Sequence, residues 1–241
     1  MNLLNKISCM TKRNKILVLV VAVFVLVVGG MFAIYQQRTS NAREEQTVLK
    51  KIGDKKELLE IYDKVKRAQA VLQHPKDENE EVGNLLSLGN NWKALAELTK
   101  DDYFYKKALA VFEEGIRKFG HKNVIFYWNG GGLAENHGDF TLAEYYYKES
   151  IRIASTYGEG YIKLAELYRF RMKKSEDDVV TVYKQGLNRN PANGPLLLEN
   201  AAYLKSIGRH KDALEAYKLL LKAFPGNSGY EQSIKEMEAK L

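Results

Sequence analysis

The feature that most constrains this chain is a small aliphatic residue that recurs at intervals of 35, 36 and 34 positions, in Ala108, Ala143, Val179 and Ala213. An aromatic residue follows each of them by four positions: Phe112, Tyr147, Tyr183 and Tyr217. Residues four apart lie on the same face of an α-helix, so this pair predicts a helix that approaches its neighbour closely and fills the space one turn along. Pro191 and Pro225 end the last two of these helices, because proline cannot continue a helix. The period predicts stacked units that bury their apolar faces only against one another.

A second pattern lies upstream of each repeated helix. An aromatic-x-x-Leu-Ala-x-x-Tyr signature occurs at Tyr161, Leu164, Ala165 and Tyr168, and its beginning occurs at Trp92 and Leu95. Gly138 and Gly208 occupy the turn between the two helices of their units. Together these residues resemble the tetratricopeptide repeat, a helix–turn–helix module. The resemblance implies an all-α, right-handed superhelical solenoid of about four units within residues 80–225, at about 90–121, 122–156, 157–191 and 193–225.

Two amphipathic segments flank the units. Residues 54–75 carry apolar side chains at spacings of three and four and end at a proline, and residues 228–241 show a similar single stripe. We expect both to be capping helices, and the first could alternatively dimerise as a short coiled coil. The repeat pattern has two departures. The third unit has two extra residues in its turn, around Met172 to Glu176, and the second has Gly130, Gly131 and Gly132 inside its first helix.

The N-terminal region contains an uncharged run over residues 16–35, between a basic tail (1–15) and a polar connector (36–53). As a helix, twenty such residues span about 30 Å, the thickness of a bilayer's hydrocarbon core. The run is longer than the apolar region of a cleavable signal peptide, and Met31-Phe32-Ala33 is a poor cleavage sequence. The sequence therefore predicts one uncleaved transmembrane helix, a signal anchor.

Charge distribution predicts the orientation of that anchor. The chain has 37 basic and 30 acidic residues, but residues 1–40 contain five basic and no acidic ones, which leaves a net charge of +2 for the rest. A nucleic-acid partner is therefore not expected. Lys12, Arg13 and Lys15 precede the run, whereas acids dilute the basic residues after it. The positive-inside rule places the N-terminus in the cytoplasm and the repeats on the extracytoplasmic side.

Catalytic or metal-binding patterns are missing from the sequence. The single cysteine, Cys9, precedes the apolar run, and the four histidines have no metal-ligand spacing. The three consecutive glycines lack the Gly-Lys-Ser/Thr continuation of a phosphate loop. We therefore expect no enzyme activity, cofactor, metal or small-molecule substrate.

The resemblance also implies a binding surface, because the first helices of tetratricopeptide units line a concave groove. The positions that this implies for partner binding are Lys93, Glu97, Trp128, Asn129, Ile162, Lys163, Glu166, Arg169 and Glu199. Family members that hold a C-terminal carboxylate use a clamp of Lys, Asn and Arg side chains. Lys93, Asn129 and Lys163 fit that pattern, but Glu97 and Glu159 would repel a carboxylate. The groove is better suited to an amphipathic helix or an extended peptide.

The sequence thus predicts a membrane-anchored scaffold that recruits a protein or peptide partner through its repeats, in envelope assembly or secretion. One alternative is an organelle receptor with the same anchor and a cytosolic repeat domain. Another is a structural scaffold that self-associates as a homo-oligomer.

Overall fold

The structure is a computed structural model that describes residues 12–241, apart from the side chains of residues 12–20, 33, 34 and 37. Cys9 and most of the predicted basic tail lie outside the described residues. The described chain divides into two compact units, one ending at Leu59 and the other running from Glu60 to Leu241. Each unit is described by itself.

Helix α1 (Lys12–Ile52) makes up most of the first unit. It continues through residues 36–52, the segment that the sequence assigns to a polar connector. Among the side chains that the structure describes, no helical stretch is both long and apolar enough for a membrane crossing. The predicted span includes residues 16–20, 33 and 34, whose side chains lie outside that set, so the span stays a prediction.

The boundary between the units falls inside helix α2 (Lys56–Leu72), so the second unit begins with most of that helix. Antiparallel helix pairs then follow in chain order. Neighbouring helices along the chain provide most of the packing. The helices are α3 (Glu78–Thr99), α4 (Asp102–Phe119), α5 (Ile125–His137), α6 (Phe140–Ile153), α7 (Gly158–Glu166), α8 (Glu176–Arg189), α9 (Gly194–Ser206), α10 (His210–Ala223) and α11 (Ser228–Glu238). Helices α3 to α10 form four first-and-second helix pairs, and α11 follows the last pair. The predicted all-helical solenoid is confirmed for the described residues.

The first pair begins earlier than position 90, where the repeat pattern places it, because α3 starts at Glu78. The side chain of Asp77 accepts a hydrogen bond from the backbone N–H of Glu80 and caps the helix. Three glutamates in the first turn further stabilise α3, because their negative charges lie near the positive end of the helix dipole. These local signals add three turns that the repeat pattern does not contain.

Each turn between the two helices of a pair contains one residue with a positive φ angle. Gly138 and Gly208 have φ values of 90° and 76°, which glycine adopts without a steric penalty. The equivalent turns of the first and third pairs use Lys100 and Lys173, with φ values of 55° and 53°. A left-handed conformation therefore reverses the chain in every pair, even where the sequence supplies no glycine.

The core contains the repeated small and aromatic residues. The four small residues are fully buried, and the four aromatic residues that follow them are between 0% and 6% exposed. At the N-terminal end of this core the ring of Tyr62 lies 6.0 Å from that of Trp92, which lies 5.9 Å from Phe104. Helix α2 thus contributes an aromatic side chain to the beginning of the stack.

The third pair corrects one expectation from the sequence. The two extra residues do not lengthen an irregular turn, because residues Leu167–Met172 continue α7 as a π-helical segment. The wider π-helical turn takes up additional backbone inside the helix. Lys173 then reverses the chain, and Ser175 starts α8 with a reciprocal capping box to Asp178.

Candidate partner-binding face

The outward side chains of the first helices form a continuous set across the four pairs, which we call the first-helix face. On α3, α5 and α7 most members are three, four or seven residues apart, which places them on one side of the helix. Leu198 and Glu199 are adjacent on α9, and Arg171 lies two residues beyond Arg169. Helix α3 contributes Lys93 and Glu97, α5 contributes Trp128 and Glu135, and α9 contributes Leu198 and Glu199. Helix α7 and its π-helical extension contribute Glu159, Ile162, Lys163, Glu166, Arg169 and Arg171.

At the N-terminal end of the face, Lys93 and Glu97 interact with each other and with the second pair. The Lys93 ammonium lies 3.8 Å from the Glu97 carboxylate, and Asn136 donates a 2.6 Å hydrogen bond to the same carboxylate. Lys93 also lies over Gly132, where an added methyl group would be 3.6 Å from its Nζ atom. The charges of this region are therefore largely paired.

Trp128 is the main aromatic of the face and is only partly buried. Its ring lies 6.5 Å from that of Tyr157, which is 58% exposed at the start of α7. The indole N–H of Trp128 is buried and has no hydrogen-bond acceptor among the described residues. Ile125, one turn earlier, is 40% exposed, and the predicted site residue Asn129 is half-buried beside it. An exposed apolar surface thus surrounds a donor that lacks an acceptor.

Glu135 accepts two hydrogen bonds, one within the second pair and one from the third. It accepts one from the hydroxyl of Tyr147 at 3.1 Å and one from the Nε atom of Arg171 at 3.1 Å. Burial raises the pKa of the Tyr147 hydroxyl well above its usual range, and the Glu135 carboxylate adds to this rise. The hydroxyl therefore stays protonated and remains a donor to Glu135.

The π-helical segment separates two neighbouring arginines. Arg171 is directed to Glu135, whereas the guanidinium of Arg169 lies 5.1 Å from the ring centre of Tyr203 on α9. Arg169 also lies 4.6 Å from the ring centre of Phe170, which is 51% exposed. The predicted site residue Arg169 is thus held by aromatic rings and makes no ion pair with a described residue.

Two carboxylates at the centre of the face lack a partner. Glu166 and Glu199 make no hydrogen bond or ion pair with any described residue, whereas Lys163 is paired with Glu159 at 3.0 Å. Burial raises the pKa of the Glu166 carboxyl; Lys163 opposes this, and nearby carboxylates add to the rise. Those carboxylates belong to Glu199, Glu135 and Glu159. The carboxylates without an ion pair therefore lie on α7 and α9, and the Arg169 guanidinium, three residues after Glu166, is the cation of this region that also makes no ion pair with a described residue.

Arg171 on this face, and Asn136 and Tyr157 beside it, were not recognised from the sequence. Tyr157 lies in a turn between units, where the repeat pattern assigns no position. Asn136 and Arg171 depend on contacts with residues 39 and 36 positions away, which spacing within one helix does not reveal. Among the described residues, no cluster of His, Cys, Asp and Glu has the arrangement of a metal site.

The helix pairs and the buried small and aromatic positions define the class of fold: a tetratricopeptide-like helical solenoid. Over part of its length, the chain is similar to the photosystem I assembly protein Ycf3.

Sequence comparison is the source of that similarity. Ycf3 of Prochlorococcus marinus (strain MIT 9215) is 29% identical over 120 residues, which cover 46% of this chain and 68% of that protein. Ycf3 proteins of two other strains match over 60% of their own length. No family model matches the chain.

Solved structures with related folds have lower identity. The crystal structure of the MamA protein is 15% identical, covers 77% of this chain and 94% of its own, and has a TM-score of 0.49. The first repeat domain of Spaghetti (RPAP3), solved with an HSP90 peptide, is 14% identical. It covers 49% of this chain and 95% of its own, with a TM-score of 0.40.

Proposed function

We propose that this chain is a membrane-anchored assembly scaffold that recruits a protein or peptide partner through the first-helix face. The observation that carries the proposal is the unpaired part of that face. Trp128 and Leu198 present apolar surface to solvent, while Glu166 and Glu199 make no ion pair with a described residue. Exposed apolar patches surrounded by polar groups are common sites of protein recognition.

The similarity to Ycf3 supports a role in assembling a protein complex. The scaffold would hold one subunit while others join it, and it needs no chemistry of its own. An anchor would increase the effective concentration of membrane-associated subunits around the repeats, so even a modest affinity for each partner would suffice.

The anchor is part of the same proposal, with residues 16–35 crossing the bilayer and the N-terminus in the cytoplasm. Its support is a series of apolar side chains in α1 that are largely exposed. Phe24, Leu26 and Met31 are 66%, 75% and 68% exposed. Exposing such surface to water costs about 25 cal/mol per Å², and lipid would remove that cost.

Site-specific photo-crosslinking in living cells tests the recruiting face. A photoreactive amino acid at Ile162 is expected to capture a specific partner, whereas the same group at Tyr145 is not. Tyr145 is a matched control because it is exposed on a second helix, α6. Equal crosslinking from both positions would show that the first-helix face is not the recruiting surface.

A reporter fused to the C-terminus tests the topology. An extracytoplasmic reporter signal is expected, together with retention of the chain in alkali-washed membranes. A cytoplasmic signal would refute the orientation and favour a receptor whose repeats face the cytosol.

A further inference from the structure

The charge of the first-helix face specifies its partner more narrowly than the repeat fold does. Its cations are already engaged by neighbouring side chains. Lys93 interacts with Glu97, Lys163 with Glu159 and Arg171 with Glu135, at 3.8, 3.0 and 3.1 Å. Lys205, at the end of α9, pairs with Glu236, and Arg169 lies over an aromatic ring. A partner therefore meets no free ammonium group at the centre of the face.

Its carboxylates are not balanced in the same way. Glu166 and Glu199 make no ion pair with a described residue. Burial, followed by these two carboxylates, raises the pKa of the Tyr183 hydroxyl, and Arg169 opposes the rise only in part. An anionic partner, including a peptide C-terminal carboxylate, would meet like charges here. A cationic side chain would supply the missing counter-charge.

The uncharged part of the face lies on the same helices. Trp128 and Ile162 are partly exposed, and Leu198 is 38% exposed directly beside Glu199. Apolar contacts next to a cation site suit a segment that alternates apolar and basic side chains.

We infer that the first-helix face takes a cationic amphipathic segment of a partner protein. A Lys or Arg side chain of that segment pairs with Glu166 and Glu199, and its apolar side chains pack on Trp128, Ile162 and Leu198. This inference rests on the proposed recruiting role of the face and adds the chemistry of the partner.

Fluorescence titration of the full chain in zwitterionic lipid nanodiscs tests the inference. The probe is an acetylated and amidated peptide of about 16 residues, with leucines at helical i, i+3 and i+4 spacing and lysines elsewhere. Its matched control has glutamate in place of each lysine. Trp92 is 1% exposed in the core, so a change in tryptophan emission on binding reports mainly on Trp128.

The lysine peptide is expected to bind at least about tenfold more tightly than the glutamate peptide. The double variant Glu166→Gln/Glu199→Gln should weaken lysine-peptide binding by about 10- to 100-fold. The control variant Glu149→Gln/Glu215→Gln removes the same charge from the second helices α6 and α10, where both groups form exposed ion pairs. We expect it to change affinity by less than about threefold.

Leu198→Ser separates failure of the inference from failure of the proposed function. If both peptides bind equally and Leu198→Ser weakens both, the face recruits partners without charge selection, and the inference is wrong. If Leu198→Ser leaves lysine-peptide binding unchanged while circular dichroism shows an intact fold, the face is not the docking surface and both proposals fall. Tighter binding of the glutamate peptide would also overturn the inference.

Discussion

Three adjacent glycines in α5 provide a matched stability series. A Cβ atom at Gly131 would lie 2.4 Å from Cε1 and 2.8 Å from Cδ1 of Tyr147, which is 2% exposed. At Gly130 the nearest ring atom, on Tyr146, would be 3.3 Å away. At Gly132 the nearest atom is the flexible end of Lys93, at 3.6 Å. Alanine substitution at the three positions therefore differs in packing, whereas the gain in helix propensity is the same.

The magnitudes follow from these distances. Glycine to alanine in a helix interior stabilises by about 1 kcal/mol when space is available. Overpacking a buried site costs about 1–3 kcal/mol, and a 2.4 Å contact with a fixed ring belongs at the upper end of that range. We expect Gly132→Ala to raise the free energy of unfolding by about 0.5–1 kcal/mol. Gly131→Ala should lower it by about 1–2 kcal/mol, with Gly130→Ala between the two.

Urea unfolding followed by far-UV circular dichroism gives the three midpoints on the full chain. Thermal scans offer a second readout, since 1 kcal/mol moves the Tm of a chain this size by about 2–4 °C. A Gly131→Ala variant as stable as Gly132→Ala would refute the argument, because contact with Tyr147 would then not be the reason for glycine.

Three further variants test the turns and the carboxylates. Lys173→Gly should stabilise by about 1 kcal/mol in urea unfolding, because Lys173 has a φ of 53°; the control Lys174→Gly should not. Burial opposes ionisation of Glu144, but hydrogen bonds led by that from Lys148 outweigh burial and lower its pKa. Its stabilisation is present above the unfolded-state pKa and lost as pH falls, so Glu144→Gln should be less stable than wild type at neutral pH and equally stable in acid. The pKa of Glu166 is raised, mainly by burial, so Glu166→Gln should be more stable at neutral pH, with the difference vanishing as pH falls to the unfolded-state value.

Each of these expectations has a contradicting outcome in the same measurement. Equal gains from both lysine-to-glycine variants would remove backbone strain as the cause. A Glu144→Gln deficit that persists unchanged at acid pH would show that packing, and not ionisation, is responsible. A neutral-pH loss of stability in Glu166→Gln would mean that its carboxylate is favourably paired.

The repeat could be predicted from the sequence because helix geometry itself sets the spacing. A small residue lets two helices approach closely, and an aromatic residue four positions later fills the space one turn along. Four copies of this pair at a nearly constant interval indicate a repeated helical unit. The start of α3 at Glu78 was not predicted because its signal, the Asp77 cap, is local and lies outside the repeated small and aromatic positions. The π-helical segment was not predicted because sequence shows two extra residues without showing where the backbone takes them up.

The sequence predicts which residues lie on the first-helix face, but it does not predict which of them form ion pairs. Repeat register placed Lys163, Glu166 and Glu199 on first helices. Whether each has a partner depends on side chains from other pairs and on side-chain rotamers. Register alone therefore suggested a mixed-charge surface, while the structure shows that two carboxylates remain unpaired and that Arg171 neutralises Glu135.

The two arginines of the π-helical segment have a consequence for how the solenoid unfolds. Arg171 reaches back to the second pair and Arg169 reaches forward to the fourth, from positions two residues apart. Repeat arrays lose cooperativity when the coupling between neighbours is weak compared with the intrinsic stability of each unit. A third pair that contacts both neighbours through one short segment acts as a coupling element. Restoring the regular repeat length there should weaken the coupling of the third pair to both of its neighbours.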